Sequence, residues 1–503
     1  GMSKQPHIVI FNPDQWRGDV LGHLGNKAAV TPTLDTWIQD DAVSFSNAFC
    51  QNPVCTPSRC SFMTGWYPHV RGHRSLYHML RPDEPCLLKI LKDSGYFVWW
   101  GGKNDLVPGQ NGLDAYCNIY YQPERLPRAE TNLHAADDWR GNSDGDNYYS
   151  FYAGNLGSEP DGSPYYDRDW ANVYGAVEQI QNAPDDQPLC IFLALGYPHP
   201  PYGVEEPYFS QIDRSKLPPR LKASLVGPDK PSILSGIREG QGLKNWTEDR
   251  WDELRATYYG MCARVDQQFA LVLNALRDKG IYDDAAVFFF SDHGDYTGDY
   301  GLVEKTQNTF EDCLTNVPFL VKPPAFVPVK PGINNALVEL IDVPATVFEL
   351  TGIEPGYSHF GRSLIPLLTR EITTQREYVF CEGGRRYGET HCMEGEANPT
   401  EEMLYWPRIK LQLSDEAPWH GKGIMCRSKD FKYVRRLYEE DEFYDLRHDT
   451  GELVNRINDA AYATEIQEHK EALLTFLLET NDVVPHDIDK RNAAPVSFSP
   501  ELL

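Results

Sequence analysis

Val54-Cys55-Thr56-Pro57-Ser58-Arg59-Cys60-Ser61-Phe62-Met63-Thr64-Gly65-Trp66-Tyr67-Pro68-His69-Val70-Arg71-Gly72-His73 is the stretch around which the chain is organised. Its head has the pattern Cys-x-Pro-Ser-Arg. Pro57 stiffens the turn after the cysteine and disfavours a helical Thr56. Ser58 is then the natural cap of a helix starting near Arg59, which sets Cys55 beside the electropositive end of that helix. A nucleophile that must face an anion suits such a place. Standing alone, the pentapeptide reads better as a buried thiol in a proline turn, so the rest of the chain has to decide.

Working outward, four short apolar runs read as strands buried on both faces: Ile8-Val9-Ile10-Phe11, Tyr96-Phe97-Val98-Trp99-Trp100, Cys190-Ile191-Phe192-Leu193-Ala194-Leu195 and Val287-Phe288-Phe289-Phe290. Helical patterns at 85–94, 166–182 and 246–279 separate them, the last with Val265, Phe269, Val272 and Leu276 on one face. Strands alternating with helices predict an α/β fold, a large, mostly parallel mixed sheet between helical layers. In such sheets ligands gather at the carboxyl ends of the strands. Each run here empties into polar residues: Asn12-Pro13-Asp14-Gln15, Gly101-Gly102-Lys103-Asn104-Asp105, Gly196-Tyr197-Pro198-His199 and Ser291-Asp292-His293-Gly294-Asp295, with Lys305 further on. A further strand is expected at 318–322, a helix at 337–350 and a return to the sheet at 377–381. From about 383 the texture becomes charged and strand-like, predicting a smaller α+β unit over 383–503 with an antiparallel sheet (424–427, 431–434, 442–446) and a packed helix at 463–478. The catalytic unit is accordingly expected over 1–382. The segment 106–166 lacks periodicity and is rich in Gly, Asn, Asp and aromatics, a composition suited to a substrate wall or to a packed excursion. No internal repeat is present.

The segment from Cys55 to His69, with its Thr-Gly-x-Tyr-Pro-His tail, resembles the signature of the type I sulfatases of the alkaline phosphatase superfamily. Ser291 to Asp295 followed by Lys305 is similar to the second half of that family's metal site, and Phe443-Tyr444-Asp445-Leu446 is like its C-terminal motif. The resemblance implies an alkaline phosphatase-like fold and a sulfuric ester hydrolase whose Cys55 is oxidised to formylglycine. It implies metal ligation by Asp14, Gln15, Cys55, Asp292 and His293, with Ca²⁺ expected first and Mg²⁺ or Mn²⁺ next. It assigns Arg59, Lys103 and Lys305 to charge stabilisation on the transferring group, and His199 or Lys305 to protonation of the departing alcohol. Two positions depart from the family pattern. Gln15 stands where a second acidic ligand is usual, as it does in phosphonate monoester hydrolases of the same superfamily. Asp105 stands where a histidine is usual, so His73, His78 or Asp105 itself is expected to serve, and Trp419-His420-Gly421-Lys422 is a loop expected to reach the substrate mouth.

Composition bounds the partners. A formal net charge of −26 disfavours nucleic acid, anionic membranes and highly sulfated polymers, and leaves a small sulfated substrate as the expected ligand. The other expected partner is the enzyme that oxidises Cys55, formylglycine-generating or anaerobic sulfatase-maturating. Eleven cysteines without paired spacing do not indicate a disulfide framework. Without a signal-peptide pattern or a bilayer-length apolar run the expected location is the cytoplasm, or the periplasm had a leader been removed. Oligomeric state is left open. The competing functions are phosphonate monoester or phosphodiester hydrolysis on the same scaffold, and non-catalytic recognition of sulfated ligands.

Overall fold

The computed structural model describes residues 5–135, 137–225, 227, 229–395, 398–413 and 418–496. Its centre is an eight-stranded sheet, in spatial order Gly332–Glu339, Val43–Phe49, Phe319–Lys322, Ala285–Phe290, His7–Asn12, Leu189–Ala194, Phe97–Gly102 and Ile119–Tyr120. All neighbours are parallel except Phe319–Lys322, which runs antiparallel to both of its own. The alternation of a strand sends successive side chains to opposite faces. Ile8 and Ile10 thus join one apolar layer, with the helices Cys55–Thr64, Leu87–Asp93 and Asp342–Thr351. Val9 and Phe11 join the other, with Pro32–Asp40, Arg168–Gln181 and the 32-residue helix Glu248–Lys279. Helices on both faces of a mostly parallel sheet are the architecture expected from the alternating pattern.

A separate four-stranded antiparallel sheet is built from Val379–Gly383, Gly423–Arg427, Phe431–Arg436 and Glu442–Asp445, with the helix Ala463–Thr480 against it. Here the sequence reading needs correction. The strand at 379–383 belongs to this small sheet and not to the large one, because it pairs residue for residue with 423–427. The helix expected from 337 starts at Asp342: Leu337, Val338 and Glu339 pair with Asn47, Ala48 and Phe49, so this apolar run is the end of a buried edge strand. All eleven cysteines are free and buried. Among the described residues no helix is long and apolar enough to cross a membrane.

Candidate active site

The carboxyl ends of the central strands meet where the sequence pattern placed its polar residues, and Cys55 lies among them. The helix carrying it begins at Cys55 itself, after an extended Val54, and not near Arg59. Pro57 is tolerated because it falls in the first turn, where no intrahelical partner awaits its missing N–H. Ser58 therefore does not cap the helix; its hydroxyl donates to the Asp292 carbonyl at 2.6 Å and ties the helix to the strand end opposite. Every residue of this helix is buried.

Asp14, Cys55, Asp292 and His293 present ligand atoms that all lie within 4.8 Å of one another. Cys55 Sγ is 3.2 Å from His293 Nε2 and 3.5 Å from Asp14 Oδ1. His293 Nδ1 lies 2.9 Å from the Gly294 carbonyl, to which it donates, so Nε2 presents a lone pair to Asp14 Oδ1 at 3.4 Å and Asp292 Oδ2 at 3.6 Å. Burial, against which the Asp292 charge works, lowers the His293 pKa and keeps the ring neutral. Burial and then the Asp14 charge push the Asp292 carboxyl up. Two carboxylates, a bare imidazole nitrogen and a sulfur turned toward one point form a donor set that fits a divalent cation.

Positive groups surround this cluster. Arg59 is wholly buried, donating to Asn12 Oδ1 at 2.9 Å and Asp292 Oδ2 at 3.0 Å. Lys103 contacts the Asp14 carboxylate and lies 3.5 Å from Asp105. Burial alone would raise Asp14, but the charges of Lys103 and Arg59 reverse this and hold it well below the carboxylate range. Lys305 Nζ donates to Gln15 Oε1 at 3.0 Å and Glu304 Oε2 at 2.7 Å, and sits 3.4 Å from His199 Nε2. His199 Nδ1 donates to the Pro200 carbonyl; burial and the Lys305 and Lys103 charges drive its pKa well down, so it is a neutral acceptor facing Lys305.

Gln15 lies beside the cluster, with its amide engaged elsewhere. Nε2 donates to Asp295 Oδ2 and Glu304 Oε2, both at 2.7 Å, while Oε1 faces Lys305. Its φ of 75° is one of several positive values in the site loops, with Thr297, Tyr300 and Glu304. Backbone strain of this kind persists where surrounding bonds over-determine the geometry.

Four residues expected near substrate are placed otherwise. His73 is buried with both ring nitrogens used, on the His78 carbonyl and Glu84 Oε2. His78 is turned to the Ser75 hydroxyl. His420 is buried against the Gln307 amide, and the Trp419 carbonyl accepts from Asn308 Nδ2. These last two hold the loop after Lys305 from behind, because the backbone there needs partners once it leaves the sheet. Asp105 is the exception, pairing with Lys103 at the rim. The sequence reading missed Asn12, Glu304, Arg408, His134 and Tyr405. Arg408 donates to Glu304 Oε1 and the Lys305 carbonyl, and the Tyr405 hydroxyl is 3.5 Å from His199 Nε2. Asn12 carried a signal, since it ends a buried strand; the 400–412 segment carried none.

Comparison with known proteins places the chain in a family. The family model for sulfatases matches residues 6–353. An arylsulfatase K of Danio rerio is 26% identical over 388 residues, covering 73% of this chain and 68% of that protein. An arylsulfatase of Clostridium perfringens is 24% identical over 499 residues, covering 94% of each. Among solved structures, the phosphonate monoester hydrolase of Agrobacterium radiobacter has a similar fold, with a TM-score of 0.71 at 21% identity over 95% of this chain and 96% of that one. The chain belongs to the sulfatase family of the alkaline phosphatase superfamily and is a sulfuric ester hydrolase.

Proposed function

We propose that the protein hydrolyses sulfate monoesters of aryl or carbohydrate alcohols, with residue 55 as the nucleophile after its cysteine is converted to formylglycine. The observation that carries this is the convergence on the Cys55 sulfur of Asp14 and His293, with Arg59, Lys103 and Lys305 around them. As a thiol, Cys55 is a poor nucleophile: burial and then the Asp14 charge push it well above the usual thiol range, so it keeps its proton at neutral pH. Oxidation to the aldehyde, which hydrates to a geminal diol, supplies an oxygen nucleophile in its place, and the second hydroxyl lets the diol collapse and expel sulfate. Asp14, Asp292, His293 and the residue 55 oxygen would hold a divalent ion, Ca²⁺ in our reading, whose charge lowers the pKa of oxygens near it.

The chain's own residues account for the remaining tasks. Arg59 and Lys103, fixed by Asn12, Asp292 and Asp14, place positive charge beside the oxygens of the transferring group without rearrangement. Lys305 and His199 face each other across 3.4 Å; Lys305 Nζ carries the proton that the departing alcohol takes, and neutral His199 Nε2 orients that ammonium by accepting from it. Gln15 fixes Lys305 through one amide oxygen.

Phosphonate monoester or phosphodiester hydrolysis is the second reading, favoured by the Asp14-Gln15 pair and by the similar fold of the Agrobacterium enzyme. Parallel turnover of aryl sulfate, phenyl phosphonate and bis-aryl phosphate separates the two; a sulfate rate far below the others overturns the first. The nucleophile is tested by co-expression with a maturating enzyme and mass spectrometry of the Cys55 peptide. The expected result is the mass lost when a thiol becomes an aldehyde, and abolished turnover in Cys55→Ala with the fold retained. An unconverted cysteine in an active protein would refute the assignment.

A further inference from the structure

Two excursions far apart in the chain are clasped over the His199 side of the site. The Arg140 guanidinium donates to the Glu402 carbonyl, the Tyr149 hydroxyl donates to the Glu401 carbonyl, and the Phe151 ring lies 5.3 Å from that of Tyr405. This clasp delivers two side chains outside the set described above. The Tyr405 ring is 6.0 Å from Lys305 Nζ and its hydroxyl 3.5 Å from His199 Nε2. The His134 ring is 5.5 Å from the His199 ring, and His134 is open to solvent. Since His199 and Lys305 face the departing oxygen, His134 and Tyr405 stand where the organic part of the ester must lie.

We propose that His134 and Tyr405 form the leaving-group wall and select a neutral, hydroxyl-bearing ring, that of a singly sulfated sugar, over one carrying a second anionic group; this rests on the sulfatase reading above. Both side chains offer a donor, an acceptor and a ring face, the combination that recognises sugar hydroxyls and C–H faces. The neighbouring cations are already committed. Arg140 serves the Tyr148 and Glu402 carbonyls, and Arg408 serves Glu304 and the Lys305 carbonyl. Exposed Asp137, Asp138, Glu401 and Glu402 lie on the two clasped segments, and their charge repels a second anion.

The test compares kcat/KM of the matured enzyme for monosulfated monosaccharides, their disulfated counterparts and p-nitrophenyl sulfate. Wild type is expected to prefer monosulfated over disulfated sugars. His134→Ala and Tyr405→Phe are each expected to lower the ratio of sugar to aryl kcat/KM by about tenfold, chiefly through KM. His134→Gln, neutral with donor and acceptor kept, should restore most of the ratio, and His134→Arg should shift preference toward disulfated sugars. Unchanged ratios in both single variants, or a wild type that prefers disulfated sugars, would overturn the wall. A matured wild type that cleaves no sulfate ester at all overturns the sulfatase reading itself, and the wall with it, so the two failures are told apart.

Discussion

Removing one hydroxyl at Tyr202 tests how the site loops are held. Tyr202 is wholly buried on the short strand Tyr202–Val204, just after His199. Its hydroxyl donates to Asp295 Oδ1 at 2.8 Å and accepts from the Glu304 amide at 2.9 Å, thereby joining both loops that carry the second half of the site. Phenylalanine fills the same space, so Tyr202→Phe deletes the two bonds without opening an apolar cavity. A hydrogen bond to a carboxylate is worth about 1.5–3 kcal/mol, and a buried amide left unpaired costs about 1–3 kcal/mol. The expected loss is therefore about 2.5–6 kcal/mol, well above the ~1 kcal/mol of an ordinary neutral bond. Chemical denaturation at neutral pH measures it. Because Glu304 fixes Lys305 at 2.7 Å, turnover should also fall, by about tenfold, with little change in KM. A stability loss under about 1 kcal/mol, with kcat intact, would refute the idea that this hydroxyl holds the loops.

Three further outcomes are expected. Gly102 has φ +98° and an added Cβ would stand 1.8 Å from the Ala194 carbonyl, so Gly102→Ala should distort the strand end that delivers Lys103; near-wild-type stability and activity would contradict this. Burial would raise the Asp312 pKa, but Arg427 and Lys432 overcome it and hold the carboxyl far below its ordinary value. A depressed carboxyl lends stability that is full above the unfolded pKa of about 4 and is lost as pH falls toward the folded one. Denaturation curves of Asp312→Asn should accordingly show lower stability at pH 7 and a shallower loss below pH 4 (about the unfolded pKa) than wild type. Chelation should abolish turnover and lower the melting temperature; readdition of Ca²⁺ at about 100 times its Kd should restore about 2.7 kcal/mol. A melting temperature indifferent to chelator would argue against a resident ion at Asp14, Asp292 and His293.

The large sheet was legible because strands buried on both faces must be written as continuous apolar runs, and because parallel strands bring their carboxyl ends to one edge. That rule, together with the family resemblance of the motifs at the strand ends, gathered Asp14, Lys103, His199, Asp292 and His293 near each other from segments almost three hundred positions apart. The strands Val43–Phe49 and Gly332–Glu339 escaped it: the first mixes Ser and Asn into its run, and the second merges with the helix after it. Similarly, no local pattern distinguishes a strand of the large sheet from one of the small sheet at 379–383, since only pairing decides.

By itself, then, the sequence determined the doubly covered α/β framework and the residues that sit at its working edge, because both derive from periodicity and strand polarity. Only the tertiary structure decided which histidines face that edge. His73 and His420 are spent on Glu84 and Gln307, whereas His134 arrives from an aperiodic excursion pinned by Arg140 and Tyr149 to a loop more than two hundred and fifty positions away. The physical reason is that a polar side chain's role depends on what satisfies its hydrogen bonds, and those partners come from wherever the folded chain happens to pass.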